Sequence, residues 1–183
     1  MATPRIYSKL QAECDASGIP MTEIISYARA KELPYLRAVV RESLRHNPAA
    51  TGLLPRIVGP RGDTHKGVYL PPGTEVGLCA WNMHRLNPVY GEDAAMFRPE
   101  RWLEASPERL ARMEEAHHLV FGYGRFQCMG ENVARHELFK MFFEMFRRFD
   151  WALCRPDRPM EKSMNYGLFI QKGMWVRVTE RPQ

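Results

Sequence analysis

The sequence predicts a mainly α-helical fold with small β-sheets, an α+β arrangement in a single domain over residues 1–183. Apolar residues recur at helical spacing over residues 34–46 and again over residues 131–149. Between and after these stretches, short runs of strand-forming residues are bounded by glycine and proline. With 183 residues, of which 45% are hydrophobic, the chain can bury a core, and general disorder is excluded.

Three helices are predicted before the first strand. Thr3 and Pro4 form a helix start, a capping residue followed by proline, and this helix should run to about residue 17. A short second helix is predicted over residues 22–31. Pro34 begins a third that should run to about residue 46, where Asn47-Pro48 ends it. Its apolar side carries Leu36, Val39, Val40 and Leu44.

Short strands follow the third helix. Residues 53–58, 67–70 and 74–78 carry strand patterns, and Pro71-Pro72-Gly73 separates the last two. Residues 81–104 are rich in turn signals, so that only short helical pieces are expected there.

The last part of the chain contains two more predicted helices. Pro107 should begin one that runs to about Ala116, and residues 131–149 should form a long one. The tail should hold short strands, with a turn near Lys172-Gly173 and a final strand over residues 175–178.

Charge and cysteine content exclude several classes of protein. The net charge is +5 and the pI about 9.2, but lysine and arginine are spread along the chain, which argues against nucleic-acid binding and favours an acidic protein partner. The four cysteines form no C-x-x-C pair, so a zinc site is not expected. No secretory signal precedes them, so a disulfide framework is not expected either. No run of 18 apolar residues indicates a transmembrane helix.

The segment 121–130, FGYGRFQCMG, is the most informative in the chain. It places Cys128 among glycines, just ahead of the long helical pattern. Glycines let a backbone turn tightly and approach a flat ligand closely. The start of a helix favours an anionic sulfur, and a cysteine thiolate is one of the few proximal ligands that a haem iron accepts. The pattern is compatible with a haem thiolate, although an isolated cysteine is more often a buried structural thiol.

This segment resembles the haem-binding loop of cytochromes P450, F-x-x-G-x-R-x-C-x-G. Phe121, Gly124, Cys128 and Gly130 match it, whereas Phe126 stands where the motif usually has arginine, and Arg125 lies one position early. Further segments resemble the family in the same order along roughly half of the chain. These are the E-x-x-R motif at 42–45, the Pro-Gly-Thr turn at 72–74 and the P-E-R-W segment at 97–102. Fungal microsomal members of the pisatin-demethylase-like kind are similar along nearly all of it.

The resemblance implies a haem b cofactor with Cys128 as the axial ligand of the iron. It implies that Arg56 and Arg125 contact haem propionates and that Phe121, Gly130 and Ala134 lie against the ring. The buried triad Glu42, Arg45 and Arg101 is then architectural. Without the resemblance, Glu42 and Arg45 are an ordinary pair on one helix face that stabilises little. The expected substrate pocket is lined by Thr51, Gly52, Leu53 and Leu54, and by Gly167, Leu168 and Phe169.

The resemblance also implies an activity and partners. The expected activity is a haem-thiolate monooxygenase that inserts one oxygen atom from O2 into a lipophilic small molecule, in fungal secondary metabolism. Electrons are expected from NADPH through a cytochrome P450 reductase, which could dock on Arg125, Arg147 and Arg148. Whole members lie at the endoplasmic reticulum membrane, but this chain, with no transmembrane segment, is expected to be cytosolic if made alone.

Two alternatives remain open at this point. The segment Thr3–Tyr7 resembles the residues that follow the family's oxygen-activating helix, so the chain is expected to cover only the C-terminal portion of a member. It could then be an inactive haem-binding remnant. The other alternative is a cysteine hydrolase, in which His117, His118 or His136 serves as the base for Cys128.

Overall fold

The computed structural model describes residues 3–182. Its α-helices are α1 (Pro4–Asp15), α2 (Tyr27–Ala30), α3 (Pro34–His46), α4 (Ala80–Met83), α5 (Asn87–Tyr90), α6 (Arg101–Glu104), α7 (Pro107–His118) and α8 (Glu131–Arg148). Two 3-10 turns, Leu119–Phe121 and Gly124–Phe126, connect α7 to α8. Within residues 3–182, no helix is long and apolar enough to cross a membrane.

The strands form small antiparallel sheets of two strands each. Strand β1 (Leu53–Ile57) pairs with β4 (Glu75–Cys79), and the hairpin of β2 (Asp63–His65) with β3 (Val68–Leu70) lies between them in sequence. In the tail, β5 (Phe149–Leu153) pairs with β8 (Val176–Glu180), and β6 (Lys162–Asn165) pairs with β7 (Phe169–Lys172). The predicted α+β class is confirmed.

The hydrophobic core lies where α1, α3 and α8 meet. Leu10 of α1, Leu36 of α3 and Phe143 of α8 are fully buried in one cluster. Removing such a side chain from water stabilises a fold by about 1.5–3 kcal/mol. A second cluster packs Tyr90 and Trp102 around Met113 of α7. The first cluster therefore fixes α8, the helix that follows the cysteine loop, and the second fixes α7, the helix that precedes it.

The third predicted helix has the bounds that the sequence indicates. Pro34 is its first residue, and Asn47 follows its last. The backbone amides of Tyr35 and Leu36, which have no partner inside the helix, donate to the carboxylate of Glu13 at 2.7 Å each. Helix α1 thus caps α3.

The second predicted helix is shorter than expected. Residues 22–31 were predicted to be helical, but α2 covers only Tyr27–Ala30, with Ser26 as its cap. The backbone before Ser26 is bound by side chains of α8 instead. Glu144 accepts the amide of Ile25 at 2.8 Å, and Arg147 donates to the carbonyl of Glu23. These long-range bonds replace the local bonds of a helix.

The β2–β3 hairpin contains a strand that the sequence pattern does not indicate. Asp63, Thr64 and His65 are polar and all exposed, so no alternation marks β2. The turn places Lys66 and Gly67 at positive φ, 49° and 82°. Two such residues in a row define the hairpin turn that matches strand twist, so the turn rather than burial sets this element.

Candidate functional site

A buried charge cluster joins α3 to the segment 97–102. Glu42 and Arg45 of α3 are fully buried, and Arg101 of α6 is 1% exposed. The Glu42 carboxylate accepts bonds from Arg45 at 2.8 and 2.9 Å and from Arg101 Nε at 3.1 Å. The structure therefore brings the three residues of the predicted triad together.

The cluster leaves few polar groups without a partner. Glu42 also accepts from Trp102 Nε1 at 2.9 Å and from the backbone amide of Arg98 at 2.7 Å. Arg45 donates to the carbonyls of His84, Ala94 and Met96, and Arg101 donates to those of Tyr90, Asp93 and Met96. Buried charges are tolerated when paired and hydrogen-bonded in this way. The irregular chain over residues 90–98 is thereby fixed to α3.

The protonation of Glu42 follows from these contacts. Burial alone would raise the pKa of Glu42, but the hydrogen bond and charge of Arg45 outweigh it and lower that pKa below its ordinary value. The carboxylate is therefore ionised at neutral pH, and the triad carries one negative and two positive charges.

Glu100, in the same segment, binds the first helix. Its carboxylate is nearly buried and accepts from Lys9 Nζ and Tyr35 Oη at 3.0 Å each, and from Arg5. Burial alone would raise its pKa, but the bonds from Arg5 and Lys9 lower the pKa of Glu100 to about 2. Sequence reasoning missed this role. The available signal was the i, i+4 spacing of Arg5 and Lys9 on one face of a predicted helix.

The cysteine loop is closed by backbone hydrogen bonds. The amide of Cys128 donates to the carbonyl of Phe121 at 2.8 Å, and that of Gln127 donates to Gly124 at 3.0 Å. Gly122 and Gly124 have φ of 78° and 68°, a region that favours glycine. The loop presents Cys128 three residues before the first residue of α8.

The surroundings of Cys128 suit a flat apolar ligand. Cys128 is a free, exposed cysteine, and a Cβ at Gly130 would lie 3.7 Å from its sulfur. Large apolar side chains of the same region are exposed: Tyr123 at 78%, Phe126 at 66%, Met129 at 100% and Val133 at 61%. So much exposed apolar surface beside a free thiol marks a binding surface.

A cavity of about 810 Å³ adjoins this loop. Leu54, Val58 and Leu78 of the β1–β4 region line it on one side, and Gly122 and Tyr123 of the loop line it on the other. Its size is in the range of small-molecule and cofactor sites. A free thiol, an apolar surface and a cavity of this size together fit a haem group.

The predicted propionate contacts lie around Phe126. Arg56 lines the cavity, and its guanidinium carbon lies 4.8 Å from the centre of the Phe126 ring. That of Arg125 lies 5.8 Å from the same centre. Both arginines are exposed.

The other predicted haem contacts lie at the two ends of the loop. Phe121 is half-buried, and the guanidinium of Arg135 lies 5.1 Å from its ring centre. Gly130 precedes α8, and Ala134, in the first turn, is half-buried and donates its amide to Gly130 at 2.9 Å.

The two predicted substrate segments are in contact with each other. The amides of Thr51 and Gly52 donate to the carbonyl of Gly167 at 2.8 and 3.2 Å, and Thr51 Oγ1 donates to Asn165 Oδ1 at 2.6 Å. A Cβ at Gly52 would lie 3.1 Å from the Gly167 Cα, so glycine permits this approach. Leu53 and Leu168 are exposed, whereas Leu54 and Phe169 are half-buried. Segments more than 100 residues apart thus form one apolar edge.

The prediction that Arg147 and Arg148 belong to a docking surface is wrong for Arg147. Arg147 is 4% exposed and donates to Glu144 at 2.9 Å and to the carbonyls of Ile19 and Pro20 at 3.1 Å. Arg148, half-buried, donates to Glu144 and to Met21. Because both arginines donate to carbonyls of the irregular loop beside the end of α8, Arg147 and Arg148 hold residues 19–23 against this helix.

The histidines do not form a base for Cys128. His117 is buried, and its Nε2 lies 3.1 Å from the carbonyl of Arg41. Nδ1 of His136 lies 2.7 Å from the carbonyl of Asn132, and its ring stacks on Tyr27. Within the described residues, no hydrogen bond joins His117, His118 or His136 to the sulfur of Cys128. The cysteine-hydrolase alternative therefore has no geometric support.

Two buried histidines make the fold sensitive to acid. Burial lowers the pKa of His84 from 6.5 to about 4 and that of His117 from 6.5 to about 3. Below pH 6.5 the unfolded chain binds protons that the folded chain does not, so stability falls as pH falls. Between pH 7 and 5 each histidine should lower the free energy of unfolding by about 2 kcal/mol. The stability that the ionised Glu100 carboxylate contributes is lost only at lower pH, as the pH falls from about 4.5 to about 2.

Urea unfolding of the 183-residue chain at pH 7 and pH 5 checks this prediction. In the variant His117→Gln the difference in stability between the two pH values should be smaller by about 2 kcal/mol. His136→Gln, which changes an exposed histidine, should keep the full difference. An unchanged difference in His117→Gln would show that His117 does not cause the acid sensitivity.

Comparison with known proteins agrees with the geometry. The Cytochrome P450 family model matches residues 1–175. The chain is 43% identical over 183 residues to cytochrome P450 monooxygenase ABA1 of Pyricularia oryzae, which covers 98% of this chain and 36% of that protein. It is 37% identical over 182 residues to cytochrome P450 monooxygenase aba1 of Botryotinia fuckeliana, with coverage of 98% and 36%.

A third fungal relative gives the same result. Cytochrome P450 monooxygenase gsfF of Penicillium aethiopicum is 38% identical over 178 residues, or 96% of this chain and 34% of that protein. The chain thus spans about a third of the length of these relatives. The cysteine loop and the buried triad lie within the matched residues, and the chain belongs to the cytochrome P450 family.

Proposed function

We propose that this chain carries the haem-thiolate site of a monooxygenase that acts on a lipophilic small molecule in fungal secondary metabolism. The observation that carries the proposal is the closed loop that exposes the free thiol of Cys128 and contributes Gly122 and Tyr123 to the lining of the cavity of about 810 Å³. The relatives named above support it, since each is a fungal cytochrome P450 monooxygenase.

The chemistry is supplied by the cofactor, and the protein supplies binding and orientation. Bound haem would use NADPH electrons delivered by a reductase to convert a substrate RH, O2, NADPH and a proton into ROH, water and NADP⁺. Cys128 would ligate the iron, since a thiolate is a proximal ligand that favours O–O cleavage. Arg56 and Arg125 would bind the haem carboxylates, because a guanidinium pairs with carboxylates in bidentate geometry.

The remaining residues would position these groups. The triad of Glu42, Arg45 and Arg101 holds the irregular segment before the loop against α3, and the backbone bonds of the loop hold Cys128 in place. The apolar edge formed by residues 51–54 and 167–169 would contact the substrate. Exposed Arg125 remains a candidate for reductase docking.

A second candidate function is haem binding without turnover. The observation that favours it is the exposure of Tyr123, Phe126, Met129 and Val133 around Cys128, because catalysis requires a site that excludes water. A chain with such an open surface could hold haem and still fail to use O2 productively.

One spectrum tests the proposal. The 183-residue chain, purified with added haem, is reduced and exposed to carbon monoxide. A strongly red-shifted Soret band is expected, because the thiolate of Cys128 donates electron density to the iron. A histidine-type or free-haem spectrum would contradict the proposal. Turnover of a lipophilic substrate with reductase and NADPH then separates the monooxygenase from the haem-binding candidate.

A further inference from the structure

An aromatic side chain replaces a charged one at a critical position of the cysteine loop. Phe126 stands where the family motif has arginine, two residues before Cys128. It is not a core residue, since 66% of it is exposed. Because an exposed phenylalanine contributes little to the core, a role for Phe126 must come from the groups that contact its ring.

Two guanidinium groups lie within cation–π range of this one ring. The guanidinium carbon of Arg56 is 4.8 Å from the ring centre and that of Arg125 is 5.8 Å away. Cation–π attraction operates within about 6 Å of the centroid, and arginine is its commonest partner. Arg56 comes from β1, whereas Phe126 and Arg125 belong to the loop. The ring therefore links the loop to β1 through Arg56.

Arg56 is held at a second point as well. Its Nη1 donates to the carbonyl of Pro55 at 2.8 Å, and its side chain lines the cavity. A free arginine side chain carries about 2 kcal/mol of rotamer entropy. A contact that limits its motion before ligand binding reduces the entropy lost on binding. The ring and the carbonyl together restrict Arg56 to the cavity wall.

We propose that Phe126 is a positioning residue that holds Arg56 ready to bind the carboxylates of the cofactor. The inference rests on the proposed function, because it takes haem as the ligand. At the motif position itself the loop contributes a ring instead of a charge, and that ring orients Arg56 of β1, which binds the carboxylates beside Arg125. Phe126 itself touches no carboxylate, so its effect depends on Arg56.

The test measures the rate of haem loss from the 183-residue chain to excess apomyoglobin. Phe126→Leu keeps apolar bulk but removes the aromatic ring, and haem loss should become about three-fold faster. Phe126→Tyr keeps the ring and should retain the wild-type rate. Arg56→Gln should accelerate loss about ten-fold, since it removes a charge-assisted bond. The double variant should match Arg56→Gln alone, because Phe126 acts through Arg56.

Two controls separate positioning from packing. Arg61→Gln makes the same chemical change at an exposed arginine that does not line the cavity, and it should leave the rate unchanged. The iron protoporphyrin dimethyl ester has no free carboxylates, so its rate of loss should be equal in the wild-type chain, Arg56→Gln and Phe126→Leu. Far-UV circular dichroism verifies that each variant is folded.

Three results would overturn the proposal. They are a wild-type rate in Phe126→Leu, an equal acceleration with the dimethyl ester, and additive effects in the double variant. If any of these accompanies a wild-type thiolate spectrum, the positioning role fails and the proposed function stands. A wild-type chain without a thiolate spectrum would contradict the proposed function and this inference with it.

Discussion

Replacing Cys128 with alanine should abolish thiolate-ligated haem. The sulfur of Cys128 is free and exposed in a loop that backbone bonds hold closed, so its removal deletes the ligand and leaves the loop bonds in place. The red-shifted Soret band of the reduced carbon-monoxide complex should disappear completely, together with any turnover. The far-UV circular dichroism should not change, because the side chain is not part of the core.

Cys154 provides a matched control. It is also a free, exposed cysteine, but it lies at the end of β5 in the tail. Cys154→Ala should keep the full red-shifted band. A band that survives in Cys128→Ala would show that another group binds the iron. A band lost in both variants would point to a general effect of cysteine removal on the chain.

Replacing Glu42 with glutamine should destabilise the fold by about 3–5 kcal/mol, the usual cost of breaking a buried ion pair from one side. The carboxylate accepts bonds from Arg45, Arg101, Trp102 and the amide of Arg98. A neutral amide removes the negative charge and faces two buried guanidiniums with an NH2 group. Urea or guanidinium unfolding followed by tryptophan fluorescence measures the loss.

The ion pair of Arg41 with Glu114 gives the control for this substitution. Its N···O distance is 2.8 Å, and its side chains are 27% and 44% exposed. Because exposed pairs contribute about 0–1 kcal/mol, Glu114→Gln should change stability by less than about 1 kcal/mol. Equal losses in Glu42→Gln and Glu114→Gln would contradict the assignment of the triad as the buried structural cluster.

Local chemistry explains why some elements could be predicted from the sequence. Helix α3 begins at Pro34 and ends before Asn47 because proline fits the first turn and Asn47-Pro48 cannot continue a helix. The apolar spacing predicts a helix over residues 131–149, and α8 ends at Arg148, one residue earlier. The cysteine loop is marked by its own glycines. In each case the signal lies within a few residues of the element.

Elements that depend on distant partners could not be predicted in the same way. The chain before α2 is irregular because Glu144 and Arg147 of α8 bind its backbone. Arg147 carries the same charge as an exposed helix-end arginine and differs only in burial. Strand β2 has no apolar alternation, since the Lys66-Gly67 turn rather than a buried face sets the hairpin.

The sequence by itself determined the family and identified Cys128 as the candidate ligand. Its motifs also indicated that Glu42, Arg45 and Arg101 form one triad. Only the tertiary structure decided that Trp102 and the amide of Arg98 complete the cluster around Glu42, that residues 51–52 meet Gly167, and that Phe126 lies beside Arg56. The physical reason is range. Helix starts, turns and motif spacing are local properties of the chain, whereas the partner of a buried charge or an exposed ring is chosen by packing between segments far apart in sequence.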